Sequence, residues 1–122
     1  MTTTYVALLR AINVGGRNLV RMADLRACLG QLGFAEAQTL LQSGNVVFRG
    51  PARSGAGLET ALEQAFAQRL DLATDVFIRT SAEWRAHIRG NPFAKEASAD
   101  PGHLLLLPLK RAPTAAQVAA LR

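Results

Sequence analysis

The order of apolar segments in the first eighty residues constrains the fold of this chain more than any other feature. Four short apolar runs predict strands, at residues 5–10, 37–41, 45–49 and 74–79. Two segments with apolar residues at helical spacing lie between them, at residues 22–32 and 58–70. The order is β-α-β-β-α-β, the pattern of the ferredoxin-like α/β plait. We therefore predict the α+β class, with a ferredoxin-like unit on an antiparallel sheet over residues 1–80.

The remaining residues, 81–122, predict the start of a second, incomplete α/β unit. Thr80 and Glu83 have the spacing of a capping box, so a short helix that carries Trp84 should follow. Residues 103–109 predict a strand, and Thr114 is a plausible cap for a last helix. One strand between two helices does not make a sheet, so these elements either complete the first sheet or belong to a longer chain.

Both faces of the predicted sheet are apolar. Tyr5, Ala7 and Leu9 fall on one face of the first strand, while Val6 and Leu8 fall on the other. A sheet with helices on one side only should alternate between apolar and polar residues. We therefore expect the second face to be covered by the residues after 80, by another domain or by a second copy in a homo-oligomer.

Composition places the chain among globular proteins of a reducing compartment. Apolar residues make up 49% of the 122 residues, the formal net charge is +5, and twelve of the fourteen basic residues are arginine. Cys28 is the single cysteine and has no internal disulfide partner. The N-terminal stretch lacks the features of a signal peptide, and the apolar runs are too short to span a bilayer. We predict a cytoplasmic location without membrane attachment.

Four stretches occur in an order that resembles a known bacterial family. They are YVALLRAINVGGRN, MADLRACLGQLGF, LLQSGNVVF and NPF, covering residues 5 to 48 and then 91–93. Together they resemble the family of domain of unknown function 1697. The resemblance implies an α/β protein with two ferredoxin-like portions, in chains that are usually longer than this one. It implies no activity.

The loop INVGGRN, residues 12–18, is the candidate ligand site. In a ferredoxin-like sheet this loop and the hairpin around residue 44 lie at the same end, together with the N-terminus of the first helix. Glycines, helix N-terminal N–H groups and arginines favour a small anionic or polar ligand. The candidate ligand-binding residues are Arg10, Asn13, Gly15, Gly16, Arg17, Asn18, Gln42, Ser43, Gly44 and Asn45.

A structural interpretation of the same loop stays open. Gly15 and Gly16 can supply the positive φ of a turn, while Asn13, Asn18 and Asn45 bond backbone groups. The stretch lacks the lysine and the hydroxyl residue of a P-loop and does not match G-x-G-x-x-G.

The sequence shows no recognisable catalytic constellation, so we lean against an enzyme. Ser43 has no nearby histidine, and His87 and His103 are isolated from other candidate groups. No Cys/His cluster has metal-ligand spacing, so we predict neither a metal nor a cofactor. Glu59 and Glu63 lie one turn apart and are most simply a solvated helix face.

Two other functions remain as alternatives. The first is a nucleic-acid-binding module, since ferredoxin-like sheets stack bases on aromatic residues, for which Tyr5 and Phe48 are available. Contact with the phosphate backbone is the favoured form of that alternative. The arginines that could form a basic flank are Arg17, Arg21, Arg26, Arg49 and Arg53. The second is a self-associating structural module that uses the second apolar sheet face.

Overall fold

Four strands and five helices form within residues 2–16, 18–40, 44–99 and 108–120, which the computed structural model describes. They are β1 (Thr2–Leu9), α1 (Met22–Gln31), β2 (Ala35–Leu40), β3 (Asn45–Pro51), α2 (Gly55–Leu70), β4 (Val76–Thr80), α3 (Ser81–Arg89), α4 (Ala94–Ala99) and α5 (Ala115–Ala120). All four strands and both helices predicted for the first eighty residues are present. The strand predicted over residues 103–109 lies outside the described residues except for its last two positions.

The four strands form one antiparallel sheet in the order β2-β3-β1-β4. The α+β class and the antiparallel sheet are therefore confirmed. The chain divides into two compact units, residues 1–92 and residues 93–122, so α3 belongs with the sheet. The domain boundary predicted at residue 80 was placed where the β-α-β-β-α-β pattern ends, and it stays a prediction.

One face of the sheet packs against α1 and α2 and forms the core. Alternate residues of β1 point to this face, and Tyr5, Ala7 and Leu9 are buried there, as the period of two requires. The ring of Phe48 on β3 stacks on Tyr5, with 5.5 Å between ring centroids. Cys28 of α1 is buried in the same cluster, as predicted.

The other face of the sheet is only partly covered within the first unit. Val6, Leu8 and Phe77 are half-buried there. Among the described residues α3 contacts β1 and β4 but neither β2 nor β3, and Val47 on β3 is 42% exposed.

Side-chain caps begin three of the helices. The predicted capping box is confirmed: the Glu83 backbone N–H donates to Thr80 Oγ1 at 3.1 Å, and the Thr80 N–H donates to Glu83 Oε1 at 2.8 Å. Thr114 caps α5 in the same way, with Gln117 as the reciprocal partner. Ser54 caps α2 by accepting from the Gly57 N–H. These contacts lie within four residues, which is why the local sequence predicted the caps at Thr80 and Thr114; the cap at Ser54 was not predicted.

Gly44 lies where the backbone passes close to the side chains of Leu9 and Ile12. Its φ is +92°, and a Cβ built there would lie 2.8 Å from Ile12 Cδ1 and 2.9 Å from Leu9 Cβ. Its carbonyl accepts a hydrogen bond from the Leu9 N–H at 3.0 Å. The position therefore excludes a side chain both by conformation and by space.

Gly44→Ala should destabilise the fold more than Gly33→Ala, measured by urea unfolding. Gly33 has the same φ of +92°, but a Cβ there would meet nothing within 4 Å. Backbone strain alone should lower the free energy of unfolding of Gly33→Ala by about 1 to 2 kcal/mol. Gly44→Ala should lose a further ~1 to 3 kcal/mol through overpacking. Equal losses in the two variants would contradict this account.

Tyr5→Phe should lower the free energy of unfolding by about 1 to 2 kcal/mol, because two hydrogen bonds are lost from a protected site. The Tyr5 hydroxyl donates to the Pro51 carbonyl at 2.9 Å and accepts from the Arg53 N–H at 3.0 Å. Chemical denaturation measures the change. Ser98→Ala, an exposed hydroxyl deletion in α4, is the control and should leave the midpoint unchanged. A Tyr5→Phe midpoint equal to that of the wild type would refute the role of these bonds.

Candidate functional site

The loop that follows β1 is tied to the segments that precede β3 and β4. The Leu9 N–H donates to the Gly44 carbonyl at 3.0 Å, and the Arg10 N–H donates to the Asp75 carbonyl at 3.1 Å. Thr74 Oγ1 donates to the Arg10 carbonyl at 2.6 Å. Arg10, Gly44 and Asp75 therefore lie together at one end of the sheet, because β1 pairs with both β3 and β4.

Two asparagine side chains hold the loop in shape. Asn13 Oδ1 accepts from the Val20 N–H at 2.8 Å, and the Asn13 N–H donates to the Asn18 carbonyl at 3.0 Å. Asn18 Nδ2 donates to the carbonyls of Ala73 at 2.9 Å and Ala11 at 3.4 Å. These contacts support the structural interpretation of the two asparagines.

The backbone of the loop is repeatedly left-handed. Ala11, Asn13 and Asn18 have φ between +49° and +54°, and Gly15 and Gly16 have φ of +61° and +73°. Asparagine and glycine accept this conformation readily, whereas alanine does so at a cost of about 1 to 2 kcal/mol. Nothing lies within 4 Å of a Cβ built at either glycine. The tip of the loop is thus an open turn whose backbone faces solvent.

The predicted charged group Arg10 lies at the surface of this loop. Its Nη1 is 3.9 Å from Asp75 Oδ2, and the two side chains are 72% and 58% exposed. An ion pair that long and that exposed is screened by water and contributes little to stability. The Arg10 guanidinium is therefore accessible to a ligand.

The remaining predicted residues are divided between described and undescribed positions. Asn45 begins β3, and its Nδ2 donates to the Leu40 carbonyl at the end of β2 at 3.3 Å. Arg17, Gln42 and Ser43 lie outside the described residues.

A groove of about 340 Å³ lies beside the loop, at the N-terminus of α1. Its lining residues are Asn13, Leu19, Val20, Arg21, Asp24 and Leu70. Arg21 is the N-cap residue of α1 and makes no side-chain cap hydrogen bond. A second groove, of about 510 Å³, is lined by residues 109–114 and Gln117 among those that the structure describes.

Among the described residues that line the first groove, only Asn13 belongs to the predicted site. Arg21 was accessible to sequence reasoning, because a helix predicted to begin at Met22 has its N-cap at residue 21. Leu70 was not accessible, since it ends α2 and reaches the groove only through the tertiary packing.

Neither Cys28 nor His87 is among the described residues that line this groove. Burial raises the pKa of the Cys28 thiol, and the nearby Arg69 guanidinium offsets part of that rise. His87 is an exposed residue of α3. The described part of the chain contains no group of three His, Cys, Asp or Glu residues that could hold a metal ion. Nor is any helix among those residues long and apolar enough to cross a membrane.

Asn18→Asp should destabilise the protein by about 1 to 3 kcal/mol, because the new carboxylate faces two carbonyl oxygens and cannot donate to them. Thermal melting at neutral pH measures the change. Asn18→Gly keeps the left-handed backbone and removes the side chain, so it should melt between the wild type and Asn18→Asp. If Asn18→Asp melts with the wild type, the amide does not anchor this loop.

Comparison with known proteins assigns this chain to a family. The chain is similar to a solved structure titled as the conserved bacterial protein SP0830 from Streptococcus pneumoniae, with 33% sequence identity and a TM-score of 0.71. The match covers 82% of this chain and 54% of that one, so the chain spans about half the length of the structure it matches. A search of curated proteins finds no match. The family described as "Protein of unknown function (DUF1697)" matches residues 1–122, and the chain belongs to that family.

Proposed function

We propose that this protein binds a small anionic or polar ligand at the rim formed by residues 10–18 and 42–45. The groove of about 340 Å³ that adjoins the rim carries the proposal, because Arg21 and the N-terminus of α1 both meet it. A helix N-terminus bears roughly half a positive charge on its unpaired N–H groups. The Arg21 guanidinium adds a full charge and can bind a carboxylate or phosphate with two hydrogen bonds.

The other lining residues favour a ligand with more than one kind of group. Asp24 stands in the first turn of α1 and can accept a hydrogen bond from a ligand donor. Leu19 is 68% exposed and offers apolar surface beside the charged residues. A ligand that combines an anionic group, a donor and an apolar part therefore suits the groove better than a bare anion does.

Residues of the rim have distinct roles in this proposal. Arg10, loosely paired with Asp75, supplies a second cation. The backbone of Gly15 and Gly16 is open to a ligand that approaches from solvent. Asn13 and Asn18 hold the loop in its bound shape, which lowers the ordering cost of binding. Asn45, at the start of β3, belongs to the same rim, and Arg17, Gln42 and Ser43 are assigned to it from the sequence alone.

The finer fold assignment is part of the same proposal. We assign the first unit to the ferredoxin-like α/β plait, which the element order β1-α1-β2-β3-α2-β4 and the sheet order β2-β3-β1-β4 support. A cytoplasmic location is supported by the one cysteine, buried as a thiol at Cys28.

Ligand-induced shifts of the thermal melting point test the proposal. Wild type, Arg10→Ala, Arg21→Ala and the control Arg85→Ala on α3 are each titrated with phosphate, common nucleotides and a short RNA. A ligand that binds the native state but not the unfolded state raises the melting point. At least one of the small probes, phosphate or a nucleotide, should raise the melting points of the wild type and the control equally. Arg21→Ala should bind that probe about tenfold more weakly, a loss of ~1.4 kcal/mol.

Two outcomes would overturn the proposal. If none of the small ligands shifts the wild type, or if Arg21→Ala responds as the wild type does, the groove is not the site. A shift by RNA alone that declines steeply with salt would instead support nucleic-acid binding through phosphates. Stacking of bases on Tyr5 or Phe48 is excluded in that case, because both rings are buried in the core.

A further inference from the structure

The backbone donors on the outer side of β4 are all bound by carboxylates. In an antiparallel strand, alternate residues direct their N–H groups to the same side. The Val76 and Ile78 N–H groups donate to side chains of α2, so the outward donors of β4 belong to residues 76, 78 and 80, and the N–H groups of Phe77 and Arg79 face β1. They donate to Glu63 Oε2, Glu59 Oε2 and Glu83 Oε1, in each case at 2.8 Å.

Glutamates of α2 can reach successive outward N–H groups of β4 because the residue spacings of the helix and the strand are similar. Residues four apart on a helix are separated by about 6 Å along its axis. Residues two apart on a strand are separated by about 6.7 Å. Glu59 and Glu63 therefore meet Ile78 and Val76 in register, with α2 running opposite to β4. The interpretation of these two glutamates as a solvated helix face is wrong, since Glu59 is only 8% exposed and both carboxylates bond the sheet.

The outward acceptor at the centre of this edge is bound as well. Arg79 Nη1 donates to the Ile78 carbonyl at 2.7 Å and lies 3.8 Å from Glu59 Oε2. The Arg79 and Glu59 side chains are 21% and 10% exposed, so water competes little for these contacts. Both backbone groups that Ile78 would offer to another strand are thus used by side chains.

We propose that Glu59, Glu63 and Glu83 close the β4 edge of the sheet against strand addition. An edge strand with open N–H and C=O groups is a template for pairing with another chain. The three carboxylates take the place of that strand and exclude a second copy of this chain from pairing edge to edge through β4. This proposal is independent of the ligand groove, which lies at α1.

The opposite edge of the described sheet is protected from strand addition by an irregularity in its outer strand. β2 is its outer strand there, and its register with β3 shifts between Ala35 and Gln38. Glu36, inside that irregularity, has a left-handed φ of +55°. Bulges of this kind interrupt the straight row of groups that strand pairing needs. Only β4 therefore presents a regular edge that needs side-chain partners.

Amide hydrogen exchange and solution mass together test the proposal. In the wild type, the Val76 and Ile78 amides should be protected although their N–H groups donate to side chains and not to a neighbouring strand. In the double variant Glu59→Met/Glu63→Met, which keeps side-chain length and removes the acceptors, these two amides should exchange about tenfold faster or more. Amides of Phe77 and Arg79, which face β1, should change less and report that the sheet is intact. The variant should also self-associate at concentrations at which the wild type keeps its mass.

Two further variants keep the test decisive if the double variant fails to fold. Glu59→Gln/Glu63→Gln retains an acceptor oxygen at each position and should restore protection and the wild-type mass. In the single variant Glu63→Met, the Val76 amide should lose its protection from exchange and the Ile78 amide should keep it. Glu96→Met on α4 removes a carboxylate elsewhere and should change neither the amide exchange of β4 nor the solution mass. Unprotected Val76 and Ile78 amides in the wild type would overturn the proposal, as would a Glu63→Met chain that exchanges and sediments like the wild type.

Discussion

The pairing of β1 with β3 on one side and with β4 on the other is the constraint on which the rest of the structure depends. Because β1 is flanked on both sides, its alternate residues are committed to a single core face against α1 and α2. The same pairing brings the end of β1 beside the starts of β3 and β4. The loop after β1 consequently meets Gly44 and Asp75 through backbone hydrogen bonds.

That loop combines two properties that sequence motifs usually suggest separately. Its asparagine side chains bond the backbone and define its shape, while its glycine tip and the Arg10 guanidinium remain open to solvent. A loop that is already ordered loses less entropy when a ligand binds. The structural interpretation and the ligand-site proposal are therefore compatible, because different atoms of the loop serve each role.

Glutamates in this protein differ in role according to the backbone that they can reach. Glu83 caps the helix to which it belongs, whereas Glu59 and Glu63 reach across to a strand. Carboxylates accept hydrogen bonds from backbone N–H groups strongly because the acceptor is charged. The edge of the sheet and the start of α3 are thus stabilised by one chemistry, applied over very different sequence distances.

Local sequence determined the strands and helices of the first unit, the burial of Cys28 and the caps formed by Thr80 and Thr114, because periodicity and capping act within a few residues. It did not indicate α4 or the extension of β1 back to Thr2, which pairs with Pro51. The tertiary structure alone decided that Asn18 bonds Ala73, 55 residues away, and that Glu59 caps Ile78. It also brought Leu70 to the groove beside Arg21. Such contacts depend on how distant elements pack, and no local period of the sequence encodes that packing.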